Sequence, residues 1–143
     1  MKQEYKWDAE TGIAQHICTL SNGTVIVGEA ICHEDDKDLM NKNTGFAIAE
    51  MRSYIKSLQN YKNNILRPEL NSLKQLYYSI NRSKNFNENS YETRALKRHI
   101  KMKEFDIEVV KEEIDKTRSY LKEFINSKDR FYKMVRAYRK KHS

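Results

Sequence analysis

The sequence predicts a mostly helical α+β protein: an N-terminal β-hairpin followed by two long antiparallel helices, forming a helical hairpin or coiled coil that assembles into an oligomer. Apolar residues recur at helical spacing over most of the chain after residue 45. Pro68 is the only proline in 143 residues, and the four glycines all precede residue 46: Gly12, Gly23, Gly28 and Gly45. We therefore expect one domain over 1–143, with its β-structure confined to the N-terminal part.

Residues 13–32 are predicted to form the β-hairpin. Two runs rich in Ile and Val flank the dipeptide Asn22-Gly23. Asn-Gly favours a two-residue type I′ turn, because both central positions of that turn need a positive φ. Such a turn would place His16 opposite Glu29. Because an isolated hairpin is only marginally stable in water, we expect it to pack on a helix or on another chain.

The first long helix is predicted over 44–81, with Thr44 as its N-cap. Its apolar stripe begins near Ile48 and resumes at Leu66 after a shift of one position. A proline has no backbone N–H, and its ring clashes with the preceding turn. Pro68 is therefore predicted either to kink the helix or to lie in the first turn of a new one.

The second long helix is predicted over 92–139, after a bend rich in Asn and Ser at 82–91. At 1.5 Å per residue it would be roughly 70 Å long, and its seam has more apolar surface than one partner helix covers. We therefore expect a homo-oligomer. The seam positions follow four- and three-residue steps: Leu96, Ile100, Lys103, Ile107, Val110, Ile114, Thr117, Leu121, Phe124, Lys128, Phe131, Val135 and Tyr138.

Motifs for catalysis and metal binding are absent from the sequence. It contains no Gly-x-Ser-x-Gly, no phosphate-binding glycine loop and no His-Glu-x-x-His. The run Cys32-His33-Glu34-Asp35-Asp36 has metal-competent side chains, but they are adjacent rather than spaced for a tetrahedral site. It belongs to an acidic connector, 33–43, expected to lie near the positive N-terminus of the first helix. We predict no catalytic residues, no metal and no cofactor.

The positive charge of the chain is concentrated in its helical part. The net charge is +7, but residues 1–45 have a balance of −4 and residues 46–143 a balance of +11. An anionic partner is therefore expected on the helices. Arginine binds phosphate through paired hydrogen bonds, and aromatic rings stack on nucleobases. Residues of these types near the helical bend or on the second helix are candidate ligand-binding residues: Phe86, Tyr91, Arg94, Arg98 and Arg118.

The junction between hairpin and first helix carries a recognisable motif. It reads Gly28-x-Ala30-x-Cys32-His33-x-Asp35-Asp36, followed by Gly45-x-x-Ile48-Ala49-x-x-Arg52. Glu34 and Ser53 stand where proline and alanine are usual, and the connector is about two residues longer. The match covers roughly residues 22–53. With the order of hairpin and two long helices, the chain resembles the phage Thoeris anti-defence protein 1 family.

This resemblance implies a function and a location. Proteins of that family bind cyclic ADP-ribose isomers between protomers and do not cleave them. It thus implies a viral, bacteriophage-encoded sponge in the host bacterial cytoplasm, with no membrane association, that holds gcADPR or a related cyclic nucleotide and blocks Thoeris immunity. Arg52 is the helical arginine that the motif carries over, and the resemblance implies a phosphate contact for it.

Two other classes of function remain open from the residues alone. The balance of +11 over residues 46–143 also suits a basic phage protein that binds nucleic acid or inhibits a host protein. Alternatively, the long apolar seam suits a coiled-coil assembly factor without a ligand. Oligomers that survive Arg52→Ala and bind no nucleotide would favour that third hypothesis. An enzyme is the least favoured class.

Overall fold

The computed structural model describes residues 1–32, 39, 41–83 and 86–142. It is mostly helical, with an N-terminal three-stranded antiparallel sheet. Where the sequence predicts one domain, the structure has two compact units: unit 1 comprises 1–57 with 115–143, and unit 2 comprises 58–114. The elements are β1 (Lys2–Asp8), β2 (Ile13–Thr19), β3 (Val25–Ile31), α1 (Lys42–Tyr61), a π-helical turn (Lys62–Leu66), α2 (Arg67–Asn81) and α3 (Tyr91–Lys141).

The sheet has one strand more than the predicted hairpin. Its order is β1-β2-β3, and β1 pairs antiparallel with β2 so that Tyr5 lies opposite His16. The segment alternates charged residues with Gln3, Tyr5 and Trp7, which is the period-two pattern of a strand with one packed face. The third strand gives the β2–β3 pair the support that an isolated hairpin lacks.

The turn between β2 and β3 differs from the predicted type I′ turn. The Leu20 N–H donates to the Thr24 carbonyl oxygen at 2.8 Å, and the Gly23 N–H donates to the Leu20 carbonyl oxygen at 2.9 Å. Gly23 has a φ of +87°, whereas Asn22 does not have a positive φ. This is a three-residue loop, a type I turn followed by a left-handed glycine, and it contains one residue more than a type I′ loop.

The extra loop residue shifts the strand register by one position. The predicted pairing of His16 with Glu29 is therefore wrong: His16 lies opposite Gly28, and Gln15 lies opposite Glu29. The Gln15 side-chain amide donates to the Glu29 carboxylate at 2.6 Å. Because side chains alternate across a sheet, the shift puts Gly28 on the buried face. The residues of β2 and β3 on that face are Ala14, His16, Cys18, Ile26, Gly28 and Ala30.

The helix α1 begins at Lys42, two residues before the predicted start. Its cap is Asn41 rather than Thr44, because the Asn41 side-chain oxygen accepts a hydrogen bond from the Asn43 N–H at 2.8 Å. The Gly45 N–H then donates to the Asn41 carbonyl oxygen, closing the first turn. Asparagine and threonine are both favoured N-cap residues, and in this helix the cap is Asn41, three residues before Thr44.

The helical segment before Pro68 contains a π-helical turn. In this turn, Lys62–Leu66, the Arg67 N–H donates to the Lys62 carbonyl oxygen, five residues back. Pro68 follows in the first turn of α2, where its missing N–H is tolerated. The wider turn inserts one residue into the helical repeat, which accounts for the one-position shift of the apolar stripe. Leu66 is consequently only 1% exposed.

The core of unit 2 lies between α2 and the first part of α3. Glu69 forms an ion pair with Lys103, and the Lys97 amine lies 5.8 Å from the centre of the Tyr77 ring. Later positions of α2 thus meet earlier positions of α3, so these two segments run antiparallel. The apolar residues packed between them are Leu66, Leu70, Ile100, Ile107 and Val110.

The helix α3 departs from the predicted seam near its C-terminus. Its cap is Ser90, whose hydroxyl oxygen accepts a hydrogen bond from the Thr93 N–H at 3.2 Å. The seam residues Leu96, Ile107 and Ile114 are buried, but Phe131 and Tyr138 are 53% and 66% exposed. An α-helix drifts by about 20° per heptad from a strict seven-residue repeat, so the packed stripe moves onto neighbouring positions. Over the described residues, no helix is both long enough and apolar enough to cross a membrane.

Candidate functional site

The contact between the sheet and α1 brings backbone against backbone. A Cβ at Gly28 would collide with the Ala49 carbonyl oxygen and would lie 2.5 Å from the Ser53 nitrogen. A Cβ at Gly45 would lie 2.9 Å from that of Ala14. At these positions of the motif, glycine therefore allows the close approach of strand and helix.

Small residues recur every four positions along the packed face of α1. Gly45, Ala49 and Ser53 lie one turn apart; Gly45 faces Ala14 of β2, while Ala49 and Ser53 face Gly28 of β3. Larger side chains close the sides of this contact, because Trp7, Phe46 and Ile48 pack against the buried alanines. Close packing thus explains several of the residues on which the family resemblance depends.

A buried histidine and serine join the sheet to α1. His16 and Ser53 are 4% and 1% exposed, and the histidine Nδ1 hydrogen-bonds the serine hydroxyl. That hydroxyl also donates to the Glu50 carbonyl oxygen at 2.9 Å, while the histidine Nε2 lies 3.1 Å from the Gln3 side-chain oxygen. Serine and histidine in contact form the nucleophile and base of many hydrolases. Here both side chains are buried, and their hydrogen bond joins β2 to α1.

Two cations of α1 bind the backbone of β3. Arg52 Nη1 donates to the Glu29 carbonyl oxygen at 2.7 Å, and the Lys56 amine donates to the Val27 carbonyl oxygen at 2.7 Å. Arg52 thus reaches back to the strand and is held there by a charge-assisted hydrogen bond. Arginine has five N–H donors in a planar fork, so this bond uses one part of its capacity.

Unit 1 contains a cavity of about 180 Å³ beside Arg52. One wall is formed by the end of β3 and the start of α1, and the other by four residues of α3. The residues that line it are Trp7, Gly12, Ala30, Ile31, Cys32, Asn41, Thr44, Gly45, Ile48, Arg52, Ile125, Lys128, Asp129 and Tyr132.

The cavity lining combines groups that recognise a nucleotide. Arg52 and Lys128 are cations suited to phosphate, while Trp7 and Tyr132 offer aromatic rings for stacking. Asp129 adds a carboxylate that can accept hydrogen bonds from ribose hydroxyls. The lining also includes the first turn of α1, whose N–H groups carry partial positive charge. The lining therefore offers groups that suit an anion, an aromatic ring or a hydroxyl.

Tyr5 lies on the packed face of β1, next to the cavity wall formed by Trp7. Its ring centre is 4.9 Å from that of His16 and 5.2 Å from that of Phe46. Burial of part of the ring, the charge of Glu50 and a hydrogen bond to that carboxylate all raise the pKa of Tyr5. The phenol is therefore neutral at physiological pH, and it ties β1 to α1.

The predicted ligand-binding residues are divided between the two units. Arg52 lines the cavity of unit 1, whereas Arg118, in the same unit, is exposed and does not line it. The other four lie in unit 2: the Phe86 ring is 6.5 Å from that of Tyr77, and Tyr91, Arg94 and Arg98 are exposed. The choice of residues near the helical bend therefore does not coincide with this cavity.

Four lining residues lie outside the predicted set of ligand-binding residues. The prediction places Lys128 on the apolar seam and does not consider Asp129, while Tyr132 is one of the aromatic residues interleaved with the arginines of the second helix but is not in that set. A lysine that interrupts an apolar seam, next to a carboxylate and an aromatic residue, is the signal that could have found them. Trp7 carried no such signal, because its strand was not predicted.

Comparisons with known proteins do not assign the site. No protein-family model, no curated protein and no solved structure matches this chain. Within the described ranges, no three His, Cys, Asp or Glu side chains are grouped so that they could hold a metal ion. Of the acidic connector 33–43, residues 33–38 and 40 lie outside the described part of the chain, and with them most of the run 32–36.

Proposed function

We propose that this protein is a phage anti-defence sponge that binds a cyclic ADP-ribose isomer such as gcADPR, or a related cyclic nucleotide, and withholds it unchanged from Thoeris immunity in the host bacterial cytoplasm. The observation that carries this proposal is the cavity of unit 1, where cations, aromatic rings and a carboxylate converge beside the motif-bearing junction. The family resemblance supplies the ligand class.

Each part of the ligand has a matching group in the cavity. Phosphate oxygens would accept hydrogen bonds from Arg52 and Lys128. An adenine ring would stack on Trp7 or Tyr132, and a ribose hydroxyl would donate to Asp129. The bond from Arg52 to Glu29 fixes the guanidinium before the ligand arrives, which lowers the entropy lost on binding.

The size of the cavity bears on how the ligand would be covered. At about 180 Å³ it is smaller than the roughly 300–1,000 Å³ of most small-molecule sites. One protomer would therefore enclose a part of the nucleotide, such as one phosphate or one ring. We propose that a second protomer covers the rest, as the resemblance implies.

Titration of the protein with gcADPR tests the proposal. By isothermal titration calorimetry we expect saturable binding by the natural protein and roughly 10- to 100-fold weaker binding by Lys128→Ala, since a charge-assisted bond contributes about 1.5–3 kcal/mol. Lys122→Ala is the matched control, because Lys122 is exposed on the same helix and does not line the cavity. Equal loss in both variants, or no saturable binding of any cyclic nucleotide, would contradict the proposal.

A second candidate function is nucleic-acid binding. The last turn of α3 contains Arg139, Lys140 and Lys141, at the end of a region with a balance of +11. Binding to a phosphate backbone releases counterions, so the affinity would fall steeply with salt, whereas a small ligand in a cavity gives a shallower dependence. Fluorescence anisotropy with labelled DNA and RNA across a salt series distinguishes the two.

A further inference from the structure

The two outer edges of the sheet differ in how their backbone groups are occupied. In the β2–β3 pair, Leu20 and Thr24 are joined by a backbone bond, and hydrogen-bonded pairs alternate along antiparallel strands. The even-numbered residues of β3 therefore bond to β2, and the carbonyls of Val27 and Glu29 point outward. These are the two carbonyls that the cations of α1 bind. The β3 edge is thus partly capped from within the chain.

The β1 edge has an open row of backbone groups. Because even-numbered residues of β2 bond to β3, its odd-numbered residues bond to β1, and Ile17 faces Glu4 in such a pair. The N–H and C=O groups of Gln3, Tyr5 and Trp7 therefore point away from β2. Within the described residues β1 has a neighbouring strand on one side only. An open edge of this kind is a template for another strand.

The charges on β1 alternate in sign along one face. Tyr5 and Trp7 pack toward Phe46 of α1, so the even-numbered side chains point to the opposite face. These side chains are exposed, and in order along the strand they are Lys2, Glu4, Lys6 and Asp8. Charges on an edge strand disfavour pairing with unrelated strands, yet a strand with the complementary order would be accepted.

We propose that β1 pairs with β1 of a second copy of this chain, antiparallel about a two-fold axis at Tyr5, so that two sheets join into one. In this register Lys2 lies opposite the partner subunit's Asp8, and Glu4 lies opposite the partner subunit's Lys6. Every charge on the face then meets an opposite charge. Two copies of β1 that run in opposite directions therefore have complementary charges along this face.

Neighbouring registers are disfavoured by the same charges. A two-fold axis perpendicular to the sheet places the packed faces of both copies on the same side of the joined sheet. A shift by one residue would turn one copy over, so the register can change only by steps of two residues. One step in one direction places Lys2 opposite the partner's Lys6 and Glu4 opposite the partner's Glu4. One step in the other direction places Glu4 opposite the partner's Asp8. Registers centred on Gln3 or Trp7 also oppose unlike charges but form half as many charge pairs, so the register centred on Tyr5 has the most favourable charge pairing.

The backbone geometry strengthens the charge pairs in this register. The outward-pointing residues Gln3, Tyr5 and Trp7 become the hydrogen-bonded pairs across the new edge. The charged residues then form non-hydrogen-bonded pairs, in which the Cα atoms are about 4.5 Å apart and side chains are closest. Within one strand, the Lys2 amine and the Glu4 carboxylate form an ion pair with an N–O distance of 3.2 Å. Both side chains are exposed, so this ion pair can rearrange when two strands pair.

Charge reversal at two positions tests this interface without any ligand. Glu4 and Lys6 are the best positions, because Asp8 also accepts a hydrogen bond from the Glu10 N–H. Glu4→Lys alone and Lys6→Glu alone each place like charges opposite each other in two pairs, and we expect about a 10-fold rise in the dimer dissociation constant. The double variant restores opposite charges and should regain the natural dissociation constant. Sedimentation velocity over a concentration series measures all four proteins.

Mixing the two single variants gives the sharpest outcome. In a heterodimer of the two variants, the lysines at positions 4 and 6 of the Glu4→Lys chain lie opposite the glutamates at positions 6 and 4 of the Lys6→Glu chain. The mixture should therefore form heterodimers more tightly than either variant forms homodimers. Circular dichroism checks that each variant keeps the natural fold, which is expected because these side chains face solvent. The proposal is wrong if the natural protein is monomeric or if the single variants associate as tightly as the natural protein does. It is also wrong if the mixture associates no more tightly than either single variant alone. These outcomes do not depend on nucleotide binding.

Discussion

Units 1 and 2 bury their helices by opposite means. In unit 1, α1 lies against the sheet through Gly28, Ala49 and Ser53, so closely that a single added Cβ would meet backbone atoms. In unit 2, α2 and α3 are held apart by large side chains such as Leu66 and Ile107. The first contact depends on the absence of side-chain atoms, and the second depends on their presence.

This difference separates what each unit tolerates. A contact made by backbone has no rotamers with which to absorb an added atom, so its sequence must stay small. A contact made by large side chains loses stability when atoms are removed, because a cavity remains. Gly28, Gly45 and Ala49 of the motif are thus required by packing, while the cavity beside them is also lined by Lys128 and Asp129, which belong to neither packed cluster.

The largest expected effect breaks the contact of unit 2. Leu66→Ala removes three carbon atoms from a fully buried position, and we expect the free energy of unfolding to fall by about 3 kcal/mol. Urea denaturation followed by circular dichroism measures it. Leu76→Ala in α2, the helix that follows, is the control, because Leu76 is 51% exposed and its replacement should cost less than about 1 kcal/mol. Equal losses would show that Leu66 is not packed as described.

A smaller effect is expected from adding one carbon to unit 1. Gly28→Ala forces the Ala49 carbonyl and the α1 backbone away from β3, at a cost of about 2 kcal/mol in the free energy of unfolding. Gly23→Ala is the matched control: no atom lies within 4 Å of its added Cβ, but its φ of +87° costs about 1 kcal/mol. If Gly28→Ala were neutral, the close approach of strand and helix would be wrong.

The smallest effect concerns the ion pair of unit 2. The Glu69 carboxylate raises the pKa of Lys103, and both side chains are partly exposed, so Glu69→Gln should cost about 0.5 kcal/mol. Because the pKa of Lys103 is raised in the folded state, the ion pair contributes its full stabilisation at pH values below 10.5, the pKa in the unfolded state. This stabilisation is lost as the pH rises through the pKa of the folded state. Urea denaturation at pH 7 and pH 11 should show the difference between variant and natural protein shrinking. A difference that grew toward pH 11 would contradict this pairing.

The sequence predicted the helices better than the sheet because the two signals differ in length. The seam of α3 repeats over many turns, so its first half was placed correctly, and only the drift of the helix displaced Phe131 and Tyr138. The turn at Asn22-Gly23 was ambiguous, since glycine suits both a type I′ turn and the left-handed position after a type I turn. One residue of loop then moved His16 from Glu29 to Gly28.

The candidate site was predicted least well, for a related reason. Arg52 was found through its motif, but Lys128 and Tyr132 lie more than seventy residues further along the chain. No local sequence pattern predicts that residues of α3 form the second wall of the cavity. Trp7 lies outside the prediction because β1, although as long as β2 and β3, is mostly charged, and charged residues are uncommon in strands.

Recovery of an intact ligand from the protein tests the central claim most directly. The natural protein is incubated with gcADPR, freed of unbound nucleotide by gel filtration and denatured by heat, and the supernatant is analysed by liquid chromatography with mass spectrometry. We expect the protein to retain gcADPR through the column and to release it chemically unchanged after heating, with a much smaller yield from Lys128→Ala. Release of a cleaved product, or no nucleotide in the protein fraction, would contradict sequestration by this protein.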